Sequence, residues 1–293
     1  MFHDLQGELK LNEALSKHTS WRVGGIAQTF YRPSSVEDLA LFLSQLPAAE
    51  PLLWLGLGSN LLVRDGGFAG TVISTSGTLQ NVEVNGQEVV AEVGVYCGKL
   101  AKLAARSGLT GSAFLAGIPG TFGGALAMNA GAHKSETWPL VSEVTTVDRQ
   151  GVLRVRKPEE FKVSYRHVEI PGDEWFASAK LKLAVGNAED EAQQIKELLK
   201  RRNVSQPTNK PCAGSVFRNP EGDFSGRLIE NLGLKGLRIG GASVSEKHAN
   251  FIVNDGSALA SDIEALILLV QQKVKQEEGV TLIPEVHIVG EVA

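Results

Sequence analysis

The segment Gly111–Ala132, GSAFLAGIPGTFGGALAMNAGA, has the composition of a backbone that binds a ligand. It contains six glycines and no charged side chain. Glycine lets the backbone approach another molecule closely, and successive free N–H groups form a concave site for an anion such as a pyrophosphate. Close packing of a helix start is the alternative explanation. The turn at 118–121, where we expect free N–H groups, and the polar Asn129 favour a ligand.

A second glycine-rich turn, GLGSN at Gly56–Asn60, follows the apolar run PLLWL. It is not a Rossmann fingerprint, because it lacks a third glycine and the acidic residue expected about 20 positions later. Alone, it is best explained as a tight turn after a buried strand. Together, the two segments predict a phosphate-bearing cofactor. The predicted contacts are Gly56, Leu57, Gly58, Ser59, Asn60, Leu61, Gly117, Ile118, Pro119, Gly120, Thr121, Gly123, Gly124, Ala125, Asn129 and Gly131.

Three polar residues stand out elsewhere, and each also has a structural explanation. Arg166 in SYRH is typical of a surface arginine, and Ser215 in AGSVF is typical of a turn before a strand. Glu285 lies in the apolar stretch LIPEVHIVG, where an acid must be paired, exposed or functional. The two cysteines and six histidines show no metal-ligand spacing, so no metal site is predicted. No GxSxG motif supports a serine hydrolase.

Composition bounds the class of protein. The chain has 293 residues, which favours two or three domains, and its 43 % apolar content and net charge of −4 indicate a soluble globular protein. No basic block points to nucleic acid as a partner, and no apolar run reaches the ~20 residues of a membrane span. The mixed, charged N-terminus does not resemble a signal peptide. Cys97 and Cys212 form no CxxC pair, so we expect a cytoplasmic enzyme.

Helices are predicted where caps and apolar spacing agree. Ser34 or Ser35 can cap a helix that reaches Leu46, and Asn187 can cap a second one to Arg202. A shorter helix carries Leu100 and ends near Gly108. A long helix over about 257–278 keeps helical apolar spacing, and Gly279 ends it.

Strands are predicted between these helices. Asn85-Gly86 indicates a hairpin between NVEV and QEVVAEV, and Asp148–Gly151 is expected to join two further strands. The other predicted strands are PLLWL, TVIST, EWFASAKLKLAV, NFIVN and VTLIPEVHIVG. The fold class is therefore α+β.

Together these segments resemble the UDP-N-acetylenolpyruvoylglucosamine reductase family, also called UDP-N-acetylmuramate dehydrogenases. The resemblance extends in order from about Thr19 to Gly290. The motifs that carry it are TSWRVGG, GLGSNLLVRDGGFAG, AGIPGTFGGALAMNAGA, SYR, AGSVFRNP, RLIENLGLKG, HANFIVN and PEVHIVG.

The resemblance implies a fold, a cofactor and a reaction. The fold would be an FAD-binding module of the vanillyl-alcohol-oxidase (PCMH) type, with subdomains at 1–70 and 71–187. An α+β substrate domain at 188–293 would follow, and its last strand is a candidate to return to the FAD module. With NADPH as co-substrate, the bound FAD would serve to reduce the enolpyruvyl ether UDP-N-acetyl-3-O-(1-carboxyvinyl)glucosamine to UDP-N-acetylmuramate, a peptidoglycan precursor.

The family's catalytic residues match Arg166, Ser215 and Glu285, which would also bind the substrate together with Asn219. Hydride would reach C3 of the enolpyruvyl group, and negative charge would develop at C2 and its carboxylate. The permanently charged Arg166 would stabilise that charge. Ser215 would deliver a proton to C2. Glu285, protonated or hydrogen-bonded, would orient or polarise the carboxylate.

One departure from the family and two alternatives complete the interpretation. Some members insert a tyrosine-bearing lid after the SYR motif, whereas here about twenty residues separate Arg166 from the Asn187 helix, so the chain resembles the shorter subtype.

Other flavoproteins with this module oxidise alcohols or sugars with O2 and often attach FAD covalently, for which His133 is a candidate attachment residue. Release of intact flavin by acid would exclude them. The second alternative is a flavin sensor that catalyses no reaction. It is less favoured, because Arg166, Ser215 and Glu285 would then have no common role.

Overall fold

A computed structural model describes residues 2–293, in which short strands alternate with helices. The strands are β1 (Glu8–Ala14), β2 (Ile26–Arg32), β3 (Leu52–Leu55), β4 (Leu61–Val63), β5 (Phe68–Ser74), β6 (Val82–Asn85), β7 (Glu88–Glu92), β8 (Leu109–Thr110), β9 (Gly131–Ala132), β10 (Ser135–Glu136), β11 (Val141–Asp148), β12 (Leu153–Arg156), β13 (Lys162–Ser164), β14 (His167–Glu169), β15 (Glu174–Lys182), β16 (Ala184–Val185), β17 (Arg238–Ile239), β18 (Ala242–Val244), β19 (Ile252–Asn254) and β20 (His287–Val289).

The α-helices are α1 (Val36–Ser44), α2 (Cys97–Arg106), α3 (Phe122–Ala127), α4 (Ala188–Ser205), α5 (Ser225–Asn231) and α6 (Ala260–Glu278). The predicted caps of the first and fourth are confirmed. The hydroxyl of Ser35 accepts the Asp38 N–H, and the Asn187 side chain accepts the N–H groups of Glu189 and Asp190. Gly279 ends α6 in the left-handed conformation, with φ +69°. No helix within residues 2–293 has the length and apolar character needed to cross a membrane.

Three sheets carry most of the strand pairing, in the orders β1-β2-β5-β3, β12-β11-β15-β7-β6 and β17-β18-β19. β3 and β5 pair in parallel, and so do β4 and β20. The strands of the five-stranded sheet pair in antiparallel fashion, among them the predicted β6–β7 hairpin, in which Asn85 pairs with Glu88. This mixture of short sheets and helices confirms the α+β class.

The chain divides into two compact units. Unit 1 consists of residues up to Lys10, Phe30–Leu57 and Thr71–Arg201. Its five-stranded sheet presents alternate side chains, such as Ala179 and Leu181 of β15, to a core that also receives the apolar faces of α1, α2 and α4. This alternation is what the two-residue period of a strand dictates when one face of a sheet is buried.

Unit 2 consists of Leu11–Thr29, Gly58–Gly70 and Arg202–Ala293. Its core is built on α6, whose buried residues Ile263, Ile267, Val270 and Val274 follow the helical repeat. The α6 N-terminus is held by the Asp65 carboxylate, which accepts the N–H groups of Ala260 and Ser261 at 2.9 Å each.

Several predicted element bounds need correction. Helix α1 ends at Ser44 rather than Leu46, and α4 continues to Ser205 rather than Arg202. The long helix begins at Ala260 rather than near Ser257, because the residues just before it form a turn capped by the Asn254 side chain. The last strand is only His287–Val289, since Pro284 has no N–H to donate and the Glu285 N–H bonds outside the ladder. The residues between Arg166 and Asn187, predicted as one strand, form β14, β15 and β16.

Candidate functional site

The glycine-rich segment of unit 1 is more tightly hydrogen-bonded than its composition suggests. The N–H of Gly120 donates to the Ile118 carbonyl, and the Ile118 N–H donates to Leu115. Gly123 donates to the Val93 carbonyl at 2.8 Å. The expectation of free N–H groups at Ile118 and Gly120 is therefore wrong. Any ligand here must use other groups of the segment.

A cavity of about 130 Å³ in unit 1 brings four of the predicted contacts together, namely Gly56, Thr121, Gly123 and Gly124. Two polar atoms in its lining residues, Oγ1 of Thr121 and Nε1 of Trp54, are buried without a hydrogen-bond partner among residues 2–293. Buried polar groups normally have partners, so these two indicate a place for a ligand group.

Glycine is needed for different reasons at different positions of the two turns. A Cβ on Gly56 would lie 2.4 Å from Oγ1 of Thr121. A Cβ on Gly58 would lie 2.3 Å from the His18 carbonyl, and one on Gly123 would lie 2.8 Å from Cβ of Val93. In contrast, a Cβ on Gly117 or Gly124 would come no closer than 3.8 Å to any other part of the chain. At these two positions, unlike Gly56, Gly58 and Gly123, the fold leaves room beside the backbone.

The remaining predicted contacts have mixed environments. Ala125 is buried in α3, Leu61 begins β4, and Pro119 and Leu57 are half-buried. The backbone N–H groups of Gly56, Leu57, Gly58 and Ser59 donate to no carbonyl in the described part of the chain. The first glycine-rich turn therefore has the free donors that Ile118 and Gly120 lack.

Arg166 lies at the tip of the β13–β14 hairpin, where Ser164 pairs with His167. Its φ of +56° is the left-handed conformation, which costs a residue other than glycine on the order of 1 kcal/mol. Its guanidinium donates from Nη2 to the Gly131 carbonyl at 3.0 Å and lies 5.3 Å from the Tyr165 ring centroid. Arg166 and Gly131, both predicted site residues, are thus brought together.

Asn129 is 2 % exposed, and its side chain forms hydrogen bonds to other residues of unit 1. Its Nδ2 donates to Glu136 at 2.8 Å and to the Ser164 carbonyl at 3.3 Å, while its Oδ1 accepts the Trp138 N–H. These bonds connect the β9–β10 hairpin to the hairpin that carries Arg166. Asn129, predicted from the sequence as a ligand contact, thus also supports the hairpin of the arginine.

Ser215 and Glu285 lie on adjacent segments of unit 2. The Glu285 N–H donates to the carbonyl of Val216, the residue after Ser215, at 2.8 Å. Ser215 is half-buried, and its hydroxyl has no hydrogen-bond partner in residues 2–293. An uncommitted hydroxyl beside a carboxyl-bearing residue suits proton delivery to a bound molecule.

The end of the first glycine-rich turn holds both of these segments. The Ser59 carbonyl accepts the Gly214 N–H at 2.9 Å. The Asn60 side chain donates to the Glu285 carbonyl at 2.9 Å, and its own carbonyl accepts the His287 N–H at 3.0 Å. Ser59 and Asn60, predicted as cofactor contacts, therefore also position Ser215 and Glu285.

Asn219 is exposed, and its Oδ1 accepts the Ser225 N–H at the start of α5. His248 also belongs to unit 2, and its Nδ1 accepts the Asn250 N–H. Burial, together with the charge of Lys235, lowers the pKa of His248, so its imidazole stays neutral near neutral pH.

Two groups of site residues have no sequence signal of their own. Trp54 and Trp175 stack with ring centroids 5.2 Å apart beside the cavity, yet they come from strands about 120 positions apart. Asn250 bonds Phe217, two residues after Ser215. The one signal for it in the sequence is that it is a polar residue in the motif HANFIVN, just before the apolar strand β19. His133, the candidate for covalent attachment, lies on an exposed turn with φ +54°.

The glycine-lined cavity and the α+β fold define the class of protein. A family model described as an FAD binding domain matches residues 27–156, so the chain is an FAD-binding protein. A second model, the C-terminal domain of UDP-N-acetylenolpyruvoylglucosamine reductase, matches residues 206–289.

Curated proteins and a solved structure are similar to this chain over nearly its whole length. A UDP-N-acetylenolpyruvoylglucosamine reductase of Legionella pneumophila (strain Corby) is 59 % identical over 288 residues, covering 98 % of this chain and 94 % of that protein. The reductase of Alkalilimnicola ehrlichii is 58 % identical over 285 residues, covering 97 % and 96 %. The crystal structure of a UDP-N-acetylenolpyruvylglucosamine reductase from Thermus caldophilus matches with a TM-score of 0.83 at 34 % identity, covering 97 % and 99 %. The chain belongs to the UDP-N-acetylenolpyruvoylglucosamine reductase family.

Proposed function

We propose that this chain is an FAD-dependent oxidoreductase that uses NADPH to reduce UDP-N-acetyl-3-O-(1-carboxyvinyl)glucosamine to UDP-N-acetylmuramate. The observation that carries the proposal is 59 % identity to a reductase of that name over 98 % of the chain. The reaction adds a hydride to C3 and a proton to C2 of the enolpyruvyl double bond, and NADPH becomes NADP⁺. Its product serves peptidoglycan precursor synthesis.

The residues of the two glycine-rich segments fit FAD. The unpartnered Thr121 Oγ1 and Trp54 Nε1 offer hydrogen bonds, and Gly117 and Gly124 leave space for a ligand. The free N–H groups from Gly56 to Ser59 suit a pyrophosphate. When bound, FAD passes on the hydride that NADPH supplies. We propose the glycine-rich residues named from the sequence as its contacts, with Ile118 and Gly120 contributing atoms other than their N–H groups.

Three side chains are proposed to act on the enolpyruvyl group. Arg166 stabilises the negative charge that develops at C2 and its carboxylate, because a guanidinium remains protonated. Ser215 donates the proton to C2, and its uncommitted hydroxyl supports this role. Glu285 orients the carboxylate, and Asn219 binds the substrate. These roles rest on the match to the family's motifs.

The proposal extends to the partners and the functional division of the chain. The substrate is a nucleotide sugar, and the net charge of −4 argues against nucleic acid as a partner. We place the enzyme in the cytoplasm because it uses NADPH and a nucleotide-activated sugar. Residues 1–70 and 71–187 are proposed to serve mainly FAD, and residues 188–293 mainly the substrate.

The test separates the two half-reactions. NADPH should bleach the flavin of Ser215→Ala and Glu285→Gln at the wild-type rate, because neither residue acts on NADPH. Reoxidation by the enolpyruvyl substrate should slow by about 100- to 10,000-fold in Ser215→Ala, the usual contribution of a positioned acid. Ser215→Cys should retain more activity, because a thiol also donates a proton.

The control is Ser257→Ala, since Ser257 is an exposed serine of unit 2 whose hydroxyl bonds only Asp255 among residues 2–293. It should behave as wild type in both half-reactions. Normal reoxidation in Ser215→Ala would remove Ser215 from the mechanism. A flavin that the enolpyruvyl substrate never reoxidises, even in the wild type, would overturn the proposed substrate.

A further inference from the structure

Asn250 holds the backbone that follows Ser215 through three hydrogen bonds. Its carbonyl accepts the Val216 N–H at 2.9 Å. Its side chain accepts the Phe217 N–H at 3.0 Å through Oδ1 and donates to the Phe217 carbonyl at 2.8 Å through Nδ2. Asn250 is 3 % exposed, so water does not compete for these bonds.

The side-chain amide does here what a neighbouring strand does in a sheet. It offers one donor and one acceptor to the same residue, Phe217, as a paired peptide group would. Aspartate in its place would present two acceptors and repel the Phe217 carbonyl, and an apolar residue would leave two buried backbone groups unpaired. The site therefore requires an amide of this length.

The Ser215 hydroxyl makes no hydrogen bond to residues 2–293, so no side-chain partner fixes its direction. Its position depends on the backbone on either side. Upstream, the Gly214 N–H is held by the Ser59 carbonyl, and downstream Val216 and Phe217 are held by Asn250. Of these bonds, only those to Phe217 come from a side chain that a substitution can change.

We infer that Asn250 is a positioning residue for the proton transfer: by fixing Val216 and Phe217 it sets where the Ser215 hydroxyl lies relative to the bound enolpyruvyl group. The inference rests on the proposed role of Ser215. Asn250 itself touches neither substrate nor cofactor in this scheme. A donor displaced by about 1 Å loses on the order of 100-fold in rate, so the effect is measurable.

The test compares Asn250→Asp with Asn254→Asp. Asn254 is also 3 % exposed, but its side chain bonds the Trp21 carbonyl and the turn before α6 rather than the Ser215 segment. Asn250→Asp should slow reoxidation of the reduced flavin by substrate by about 10- to 100-fold and leave reduction by NADPH unchanged. Its reoxidation should also slow further in D2O, because proton transfer becomes limiting. Asn254→Asp should lower thermal stability without changing either rate.

A double variant distinguishes the possible outcomes. If Asn250 acts through Ser215, Ser215→Ala with Asn250→Asp should reoxidise no more slowly than Ser215→Ala alone. Additive losses, or equal damage to both half-reactions by Asn250→Asp, would overturn the inference and leave the role of Ser215 standing. A normal rate in Ser215→Ala would instead remove the proposed role on which the inference rests. If Asn250→Asp does not fold, Asn250→Ser gives the same comparison.

Discussion

At Gly58 and Gly123 the chain itself excludes a side chain, because a Cβ would lie 2.3 Å and 2.8 Å from protein atoms. Substitutions there would damage the fold whether or not FAD binds nearby. Gly124 is different, since it is exposed, lines the unit 1 cavity and leaves 3.8 Å around a Cβ. The sequence cannot separate these two kinds of glycine, because the atoms that crowd them come from distant segments.

Gly124→Asp is therefore the substitution that tests the FAD site without disturbing the fold. The protein should purify with little flavin, because the new carboxylate occupies ligand space and repels the pyrophosphate. Added FAD should raise the melting temperature of wild type but not of the variant. Gly98→Asp is the control, since Gly98 lies in the first turn of α2 with 4.0 Å around a Cβ. Full flavin content in Gly124→Asp, measured by absorbance, would contradict the proposed FAD contacts.

For the polar residues too, the sequence indicates the residue but not its partners in the fold. Arg166, Ser215 and Glu285 could be named from their motifs, but the residues that hold them could not. The sequence predicts Asn129 as a ligand contact, but it does not predict that the Asn129 amide connects Glu136 to the Arg166 hairpin. Such a partnership depends on which hairpins meet, and the local pattern of the sequence does not encode that.

At the scale of helices and strands, the sequence predicts an element correctly where the groups that stabilise it lie close together in the chain. The α1 cap, the β6–β7 hairpin and the α4 cap all depend on residues within four positions, and all three predictions are confirmed. The start of α6 depends on Asp65, which lies 195 positions before Ala260. The last strand is short because Glu285 bonds Val216, another distant partner.

Helix α4 anchors the start of the glycine-rich segment through one carboxylate. Oε1 of Glu191 accepts the N–H groups of Gly111, Ser112 and Ala113 at 3.1, 3.1 and 2.8 Å, and Glu191 is 3 % exposed. Charged acceptors make stronger hydrogen bonds than neutral ones, so this contact fixes where the segment begins. The anion that occupies these N–H groups is thus a side chain of the protein.

Glu191→Ala should lower the free energy of unfolding substantially, because each buried donor left without an acceptor costs about 1–3 kcal/mol. Glu191→Gln should lose less, since the amide oxygen still accepts. Glu189→Ala, an exposed acid in the first turn of the same helix, is the matched control and should stay close to wild type. Urea denaturation of the three variants measures the difference. Equal stability of Glu191→Ala and Glu189→Ala would show that the anchor contributes nothing.

For the whole molecule, the order of the motifs was enough to predict the family and the α+β class, because those motifs extend along most of the chain. The compact units were harder to foresee. Unit 2 consists of residues 11–29, 58–70 and 202–293, and unit 1 consists of the residues up to Lys10 and the two stretches between those segments. Each unit has its own apolar core, one around β11 and β15 and the other around α6. Such discontinuous units arise from long-range packing, which composition and periodicity do not reveal.

Carboxylates with lowered pKa values occur throughout the molecule, and they make the stability of the fold depend on pH. Among them, Glu174 is 8 % exposed. Hydrogen bonds from the Arg156 guanidinium, at 2.6 Å and 3.2 Å, are the main reason that the pKa of Glu174 lies below its ordinary value of 4.5. A pKa lowered by folding stabilises the protein above the unfolded value, and this contribution disappears as the pH falls through the folded value.

Glu174→Gln should therefore destabilise the protein at about pH 7 by about 1–3 kcal/mol, because the charged partner of Arg156 is lost from a nearly buried position. At about pH 3, below the ordinary value of 4.5, the carboxyl of the unfolded chain is largely protonated, so the stabilisation from its charge and the difference from the variant should shrink. Glu169→Gln is the control, since Glu169 pairs with Lys162 on the surface and its loss should change little at either pH. Urea unfolding followed by tryptophan fluorescence at both pH values gives the comparison. A difference that stayed constant or grew on acidification would show that the charge of Glu174 does not stabilise the fold.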